Sequence, residues 1–140
     1  MRPRTIAEIS DRAQSAPNSF DRSTREFLDA WQMMPDAERF PALSREPGKI
    51  NPRQDAYLAA LAEHLALESR LPIPSWTERT DRFLGEPYFA GNLQSLKALL
   101  LVESPLAFRR RLIFISADAL SRPIRDDATS NTAFRAKFSL

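Results

Sequence analysis

From Thr5 to Arg70 apolar residues recur at three- and four-residue steps, and each run opens on a helix-start signal. Thr5-Ile6-Ala7-Glu8 has the capping-box form, with Ile6, Ile9 and Ala13 behind it, which predicts a short helix to about Gln14, closed off by Pro17. Asp21 is placed to cap a second helix whose stripe is Thr24, Phe27, Leu28, Trp31 and Met34, ended by Pro35. Asp36–Phe40 reads as one further turn before Pro41, and 42–50 as a loop containing Pro47 and Gly48. Asn51-Pro52-Arg53-Gln54 starts the clearest helix: Asn51 caps, Pro52 takes the first helical position and Gln54 reaches back. That helix runs to about Arg70, with Tyr57, Leu58, Leu61 and Leu65 on its buried face. Arg53, Ala59, Glu63, Ala66 and Arg70 fall largely opposite.

The prolines of Leu71-Pro72-Ile73-Pro74 force an extended piece. Ser75-Trp76-Thr77-Glu78 then reads as another capping box, carrying Trp76, Thr80, Phe83 and Leu84 on one side, with Gly85 as the stop. Asn92 is placed to cap a helix with Leu93, Leu96, Leu99 and Leu100, apolar nearly all round and therefore expected to be central. Ser104-Pro105 opens a short helix to about Arg111. Leu112–Ile115 has strand character, but no second strand is legible to pair with it, so it reads as an extended, buried piece. Ala117–Leu120 adds a turn. Beyond Ser121 the periodicity disappears, and 126–132 has a flexible composition. The expected fold is all-α: a single compact bundle of about five to seven short helices over residues 1–122, followed by a flexible tail, 123–140.

Composition sharpens this picture mainly by exclusion. Without cysteine there are no disulfides and no thiolate metal or cluster sites. Three glycines against eleven prolines favour helices joined by stiff connectors over a glycine-rich phosphate cradle. No apolar run approaches the roughly 20 residues of a membrane span, and the basic start Met1–Thr5 leads into no secretory core. A soluble, cytoplasmic protein is expected. With 20 basic and 18 acidic side chains the net charge is only +2, too small to imply global attraction to nucleic acid.

No catalytic or metal constellation emerges, and no cofactor is expected. His64 is the single histidine, and Glu63 and Glu68 are expected to point away from it. Eighteen acids offer many carboxylate pairs, but nothing selects one. Arg109-Arg110-Arg111 is the densest basic feature; on a helix the three fan apart, so one or two reach a partner while another covers the helix end. The corner at Ser104-Pro105 invites a helix-turn-helix reading, but its turn lacks glycine and its arginines stand at the far end of the second helix. Of the clustered aromatics most should be core, while Trp76 and Tyr88, beside prolines at helix boundaries, are placed to remain partly exposed as interface anchors. Leu67 and Leu101 fall off their helices' main stripes and leave a homodimer open.

The second half carries a recognisable string: Pro74-Ser75-Trp76, Phe83-Leu84-Gly85-Glu86-Pro87-Tyr88-Phe89, and Ser104-Pro105-Leu106-Ala107-Phe108-Arg109-Arg110-Arg111-Leu112-Ile113-Phe114-Ile115. Together with Arg25–Asp29 and Ala62–Ala66 upstream, it resembles a family of short uncharacterised bacterial proteins encoded beside predicted nucleotidyltransferase-like toxins of the abortive-infection type. The resemblance covers most of residues 5 to 122. It implies an antitoxin-like or accessory role, binding and restraining a toxin enzyme; some relatives are described as transcriptional regulators, which would add DNA. The candidate partner-binding residues are Trp76, Tyr88, Phe108, Arg109, Arg110 and Arg111, joined by Phe134 and Phe138 in the tail. Three functions stand in order: a partner-binding protein, a DNA-binding regulator, and a small enzyme with an unfamiliar site.

Overall fold

A computed structural model describes residues 2–90, 103–116 and 119–120. The fold is mostly helical, as expected, and five α-helices lie among the described residues: α1 Ile6–Ser15, α2 Phe20–Gln32, α3 Asp36–Ser44, α4 Pro52–Glu68 and α5 Leu106–Arg109. The expected helix after Asn92 and the tail after Ser121 lie outside the described residues.

Local signals fix the helix starts. Thr5 Oγ1 accepts the Glu8 amide at 3.3 Å, and the Glu8 carboxylate accepts the Thr5 amide at 2.9 Å, completing the capping box of α1. Helix α2 starts two residues earlier than expected, and Asp21 does not cap it. A 3₁₀ turn, Pro17–Ser19, carries the chain into α2, and Ser19 at the cap position instead turns its hydroxyl back to the Arg12 carbonyl at 3.1 Å. Asp21 sits exposed in the first turn, where its charge suits the helix dipole. Helix α3 continues through Pro41 rather than stopping before it. The proline ring is exposed, and burial of the following Ala42 and Leu43 offsets the one missing amide bond.

Helix α4 is the central element, which corrects the expectation of one buried face. Ala56, Leu58, Ala59, Ala60, Leu61, Ala62 and Ala66 are all fully buried, and Glu63 is nearly so. Alanines let neighbours approach closely from several sides: α3, α5 and two 3₁₀ turns, Ser75–Glu78 and Thr80–Arg82, all pack against it. Asn51 caps it by accepting the Gln54 amide at 2.9 Å, but the reciprocal contact comes from Asp55, whose carboxylate accepts the Ile50 amide at 2.7 Å. Helices α1 and α2 pack on each other and α1 meets α3. The 45–51 loop is tied onto α1, where Ser10 Oγ accepts the Gly48 amide and Gln14 donates to the Lys49 carbonyl, each at 2.9 Å.

The 75–85 region forms two short 3₁₀ turns instead of a capped helix. Arg79, with extended backbone, separates them, and long-range contacts explain why. Trp76 Nε1 donates to the Leu43 carbonyl at 2.9 Å, and the fully buried Arg82 donates to the Asp55 and Pro47 carbonyls and to Glu46. These anchors, about half a dozen residues apart, outweigh local helix preference. Leu112–Ile115 does find a partner: β1, Tyr88–Phe89, pairs parallel with β2, Ile113–Phe114, in the register Tyr88↔Ile113 and Phe89↔Phe114. The Phe89 and Phe114 rings stack at 5.0 Å. Leu112 turns the chain from α5 into β2 with a positive φ of 63°, and its carbonyl accepts the Tyr88 amide at 2.8 Å. Ser104 does not cap α5; its hydroxyl binds both backbone groups of Ile115, at 2.8 and 3.0 Å.

Candidate functional site

The arginine triplet is largely an internal structure. Its position at the end of α5, against α4, brings Arg110 and Arg111 onto the Glu63 carboxylate at 2.7 and 2.6 Å. Arg110 also meets Glu78 at 3.0 Å, and Arg111 donates to the Ala107 and Thr77 carbonyls, each at 2.8 Å. The Phe83 ring lies against both guanidinium groups, 4.5 Å from Arg111 and 5.6 Å from Arg110. The hydrogen bond from Arg110 holds the Glu78 carboxyl below its usual range, and the same pairing raises Arg110. Burial pulls Arg111 downward, with Glu63 opposing. The nearly buried Glu63 and the more exposed Glu78 thus compensate the two cations together.

Burial places three of the eight expected partner-binding residues in the core. Arg111 and Phe108 are 0% exposed and Trp76 is 6% exposed, so the expectation that they anchor a partner gives way to a core role: Glu63, the aromatic ladder of α4 and the Leu43 carbonyl already hold them. Arg110 is partly exposed but doubly paired. Arg109 faces solvent, and Tyr88 is half-buried. Phe134 and Phe138 lie outside the described residues. His64 stands 3.4 Å from Glu68, against the expectation that this glutamate points away, and its ring contacts Phe108 at 6.1 Å. Burial lowers the imidazole's pKa, and Glu68 works the other way. Among the described residues no group of three or more acids and histidines is placed to hold a metal ion, and no helix is long and apolar enough to cross a membrane.

Tyr88 belongs to a different place. Helix α2, the first turns of α4, the start of β1 and the residues after β2 line a cleft of about 430 Å³, formed by Phe20, Asp21, Thr24, Arg25, Arg53, Gln54, Tyr57 and Tyr88 with four apolar neighbours. A second hollow of about 580 Å³, between Asn51–Gln54 and Leu84–Tyr88, shares Arg53, Gln54 and Tyr88 with it. The floor is an aromatic ladder: Phe20 meets Tyr57 edge-on at 5.9 Å, and Tyr57 meets Phe108 at 5.2 Å. Between the hollows the Arg53 guanidinium lies over the Tyr88 ring at 3.9 Å.

The polar groups here are unengaged. Neither Arg25 nor Arg53 makes an ion pair or hydrogen bond among the described residues, and the Gln54 side-chain amide is likewise unbonded there. The Thr24 hydroxyl is buried without a hydrogen-bond partner among the described residues. Burial, with Asp21 and Tyr88 nearby, pushes the Tyr57 phenol up to about 12, so it stays a neutral donor at any physiological pH. An aromatic floor with a few convergent, unsatisfied polar groups is the make-up of a binding site rather than of a finished core. Sequence reasoning reached Tyr88 and missed Arg25, Arg53 and Tyr57. One signal was available: Arg53 is a cation in the first turn of α4, where the helix dipole disfavours it.

A comparison of the chain with protein-family models, curated proteins and solved structures finds no match.

Proposed function

We propose that this chain is a non-enzymatic partner-binding protein, antitoxin-like or accessory, that holds and restrains a toxin enzyme. The supporting observation is the cleft at Arg53 and Tyr88. It combines aromatic faces with arginines that pair with no acid among the described residues, the residue types that dominate interface hot spots. The resemblance of the Pro74–Ile115 string supplies the kind of partner, a nucleotidyltransferase-like toxin. The DNA-binding reading draws less support, because within Arg109–Arg111 only Arg109 faces solvent without an acidic partner among the described residues. For an enzyme, His64 has Glu68 and Phe108 beside it, and it does not line the cleft.

The test is co-expression with the neighbouring open reading frame and purification through a tag on one partner only. A stoichiometric complex that survives gel filtration is the expected result. A folded protein that elutes alone, beside a folded and equally soluble neighbour, removes the reading.

A further inference from the structure

We propose that the Arg53–Tyr88 cleft receives an extended acidic segment of a protein, one carboxylate against Arg53 and a neighbouring apolar side chain against Phe20 and Tyr57. This deepens the partner-binding reading and rests on it for the existence of a partner.

The argument begins with how Arg53 is used. Its guanidinium carbon lies over the Tyr88 ring at 3.9 Å, which restrains the group while its N–H donors have no acceptor among the described residues. A stacked guanidinium with vacant edge donors is preorganised for an in-plane, two-pronged bond to a carboxylate, the geometry in which arginine binds most strongly. Arg53 also stands in the first helical turn, where its charge opposes the dipole, so helix stability does not account for it. Asp55, two residues on, is turned away toward the Ile50 amide and Lys49 and does not neutralise it.

The other groups decide what kind of acidic ligand fits. Two cations, Arg25 and Arg53, face the hollows, and so do two acids, Asp21 and Glu86. A nucleic-acid strand presents a phosphate at every nucleotide and calls for a run of unopposed cations along its path. The balance here suits a segment with one or two carboxylates spaced among apolar side chains. The Gln54 side-chain amide and the neutral Tyr57 phenol add donors and acceptors of the sort an extended backbone satisfies. The floor of Phe20 and Tyr57, already packed edge-on, offers a rigid apolar seat.

The experiment uses the full chain and fluorescence anisotropy of a labelled hexapeptide, Ala-Phe-Glu-Leu-Asp-Ala, with a lysine-for-acid version and a short oligothymidylate as the other probes. The acidic peptide is expected to bind, with affinity falling about tenfold or more in Arg53→Glu, while the same variant gains affinity for the lysine peptide. Tyr88→Leu, which removes the stack but not the charge, should weaken the acidic peptide less. Failure of the acidic peptide to bind, equal binding to wild type and Arg53→Glu, or tighter Arg53-dependent binding of the oligothymidylate each overturns the proposal. Co-purification separates it from the broader reading. If the neighbouring gene product still elutes with Arg53→Glu, the partner is real and the cleft is not its seat. If the peptide binds in the expected pattern but no neighbour co-purifies, the cleft stands and the toxin assignment falls.

Discussion

Two groups of arginines in this protein differ in how the sequence presents them and in what the fold does with them. Arg109, Arg110 and Arg111 are consecutive and conspicuous, yet two of the three are turned inward onto Glu63 and Glu78. Arg25 and Arg53 are isolated in the sequence, twenty-eight positions apart, yet they converge on one cleft with no acid engaged. Charge density along a chain therefore says little about charge available at a surface. What matters is whether the packed neighbour supplies a counter-ion, and that is a property of helix contacts, not of composition.

Glu63→Gln carries the heaviest predicted cost to the fold. It leaves the buried Arg111 with only the half-exposed Glu78, 3.7 Å away, as counter-ion, and a loss of about 3 kcal/mol is expected, read from urea unfolding followed by circular dichroism. A loss below about 1 kcal/mol would mean that water reaches the pair and that it behaves as a surface contact. Arg110→Ala should cost less, about 0–1 kcal/mol, because the side chain is partly exposed and Arg111 remains on Glu63. At the other site Arg53→Glu exchanges the stack on Tyr88 for a favourable dipole interaction, so stability should move by no more than about 1 kcal/mol in either direction. A large destabilisation there would make Arg53 structural and erase the contrast.

The smallest expected effect concerns pH. Burial places the His64 pKa below its ordinary value of 6.5, so the unfolded chain takes up the proton first as pH falls. Stability associated with neutral His64 is complete above about 6.5 and declines as pH falls from there toward the lowered folded pKa. Melting temperature measured across this range should fall toward acid in the wild type and fall less in His64→Gln. A steeper decline in the variant would contradict the sign of the shift.

Much of the helical framework was legible because its signals are local. The Thr5–Glu8 capping box and the Asn51-Pro52 start involve residues three apart, and the α2 stripe from Thr24 to Met34 declares its buried face by size. Illegible features needed distant partners or ambiguous side chains. Alanine carries little information about facing, so the all-round burial of α4 was hidden behind Ala59 and Ala66, and Glu63 with it. The 75–82 turns follow Trp76 and Arg82 to Leu43, Pro47 and Asp55, contacts that no short window contains. The β1–β2 pair joins two-residue strands far apart in the chain, beyond what alternation in either could announce. The cleft was half-visible: Tyr88 stood out as an exposed aromatic, but its meeting with Arg53 depends on α4 lying beside the stretch before β1.

The indole of Trp76, bonded to the end of α3, gives the molecule a built-in optical gauge. The chain holds two tryptophans, Trp31 and Trp76, and both rings are enclosed, each with an arginine within about 5 Å. Trp76 emits from the junction of α3 and the 75–78 turn, while Trp31 emits from within α2. Replacing either one with phenylalanine would leave a single-site reporter, so the loosening of the α3 junction and of α2 could be timed separately during unfolding, without any added dye.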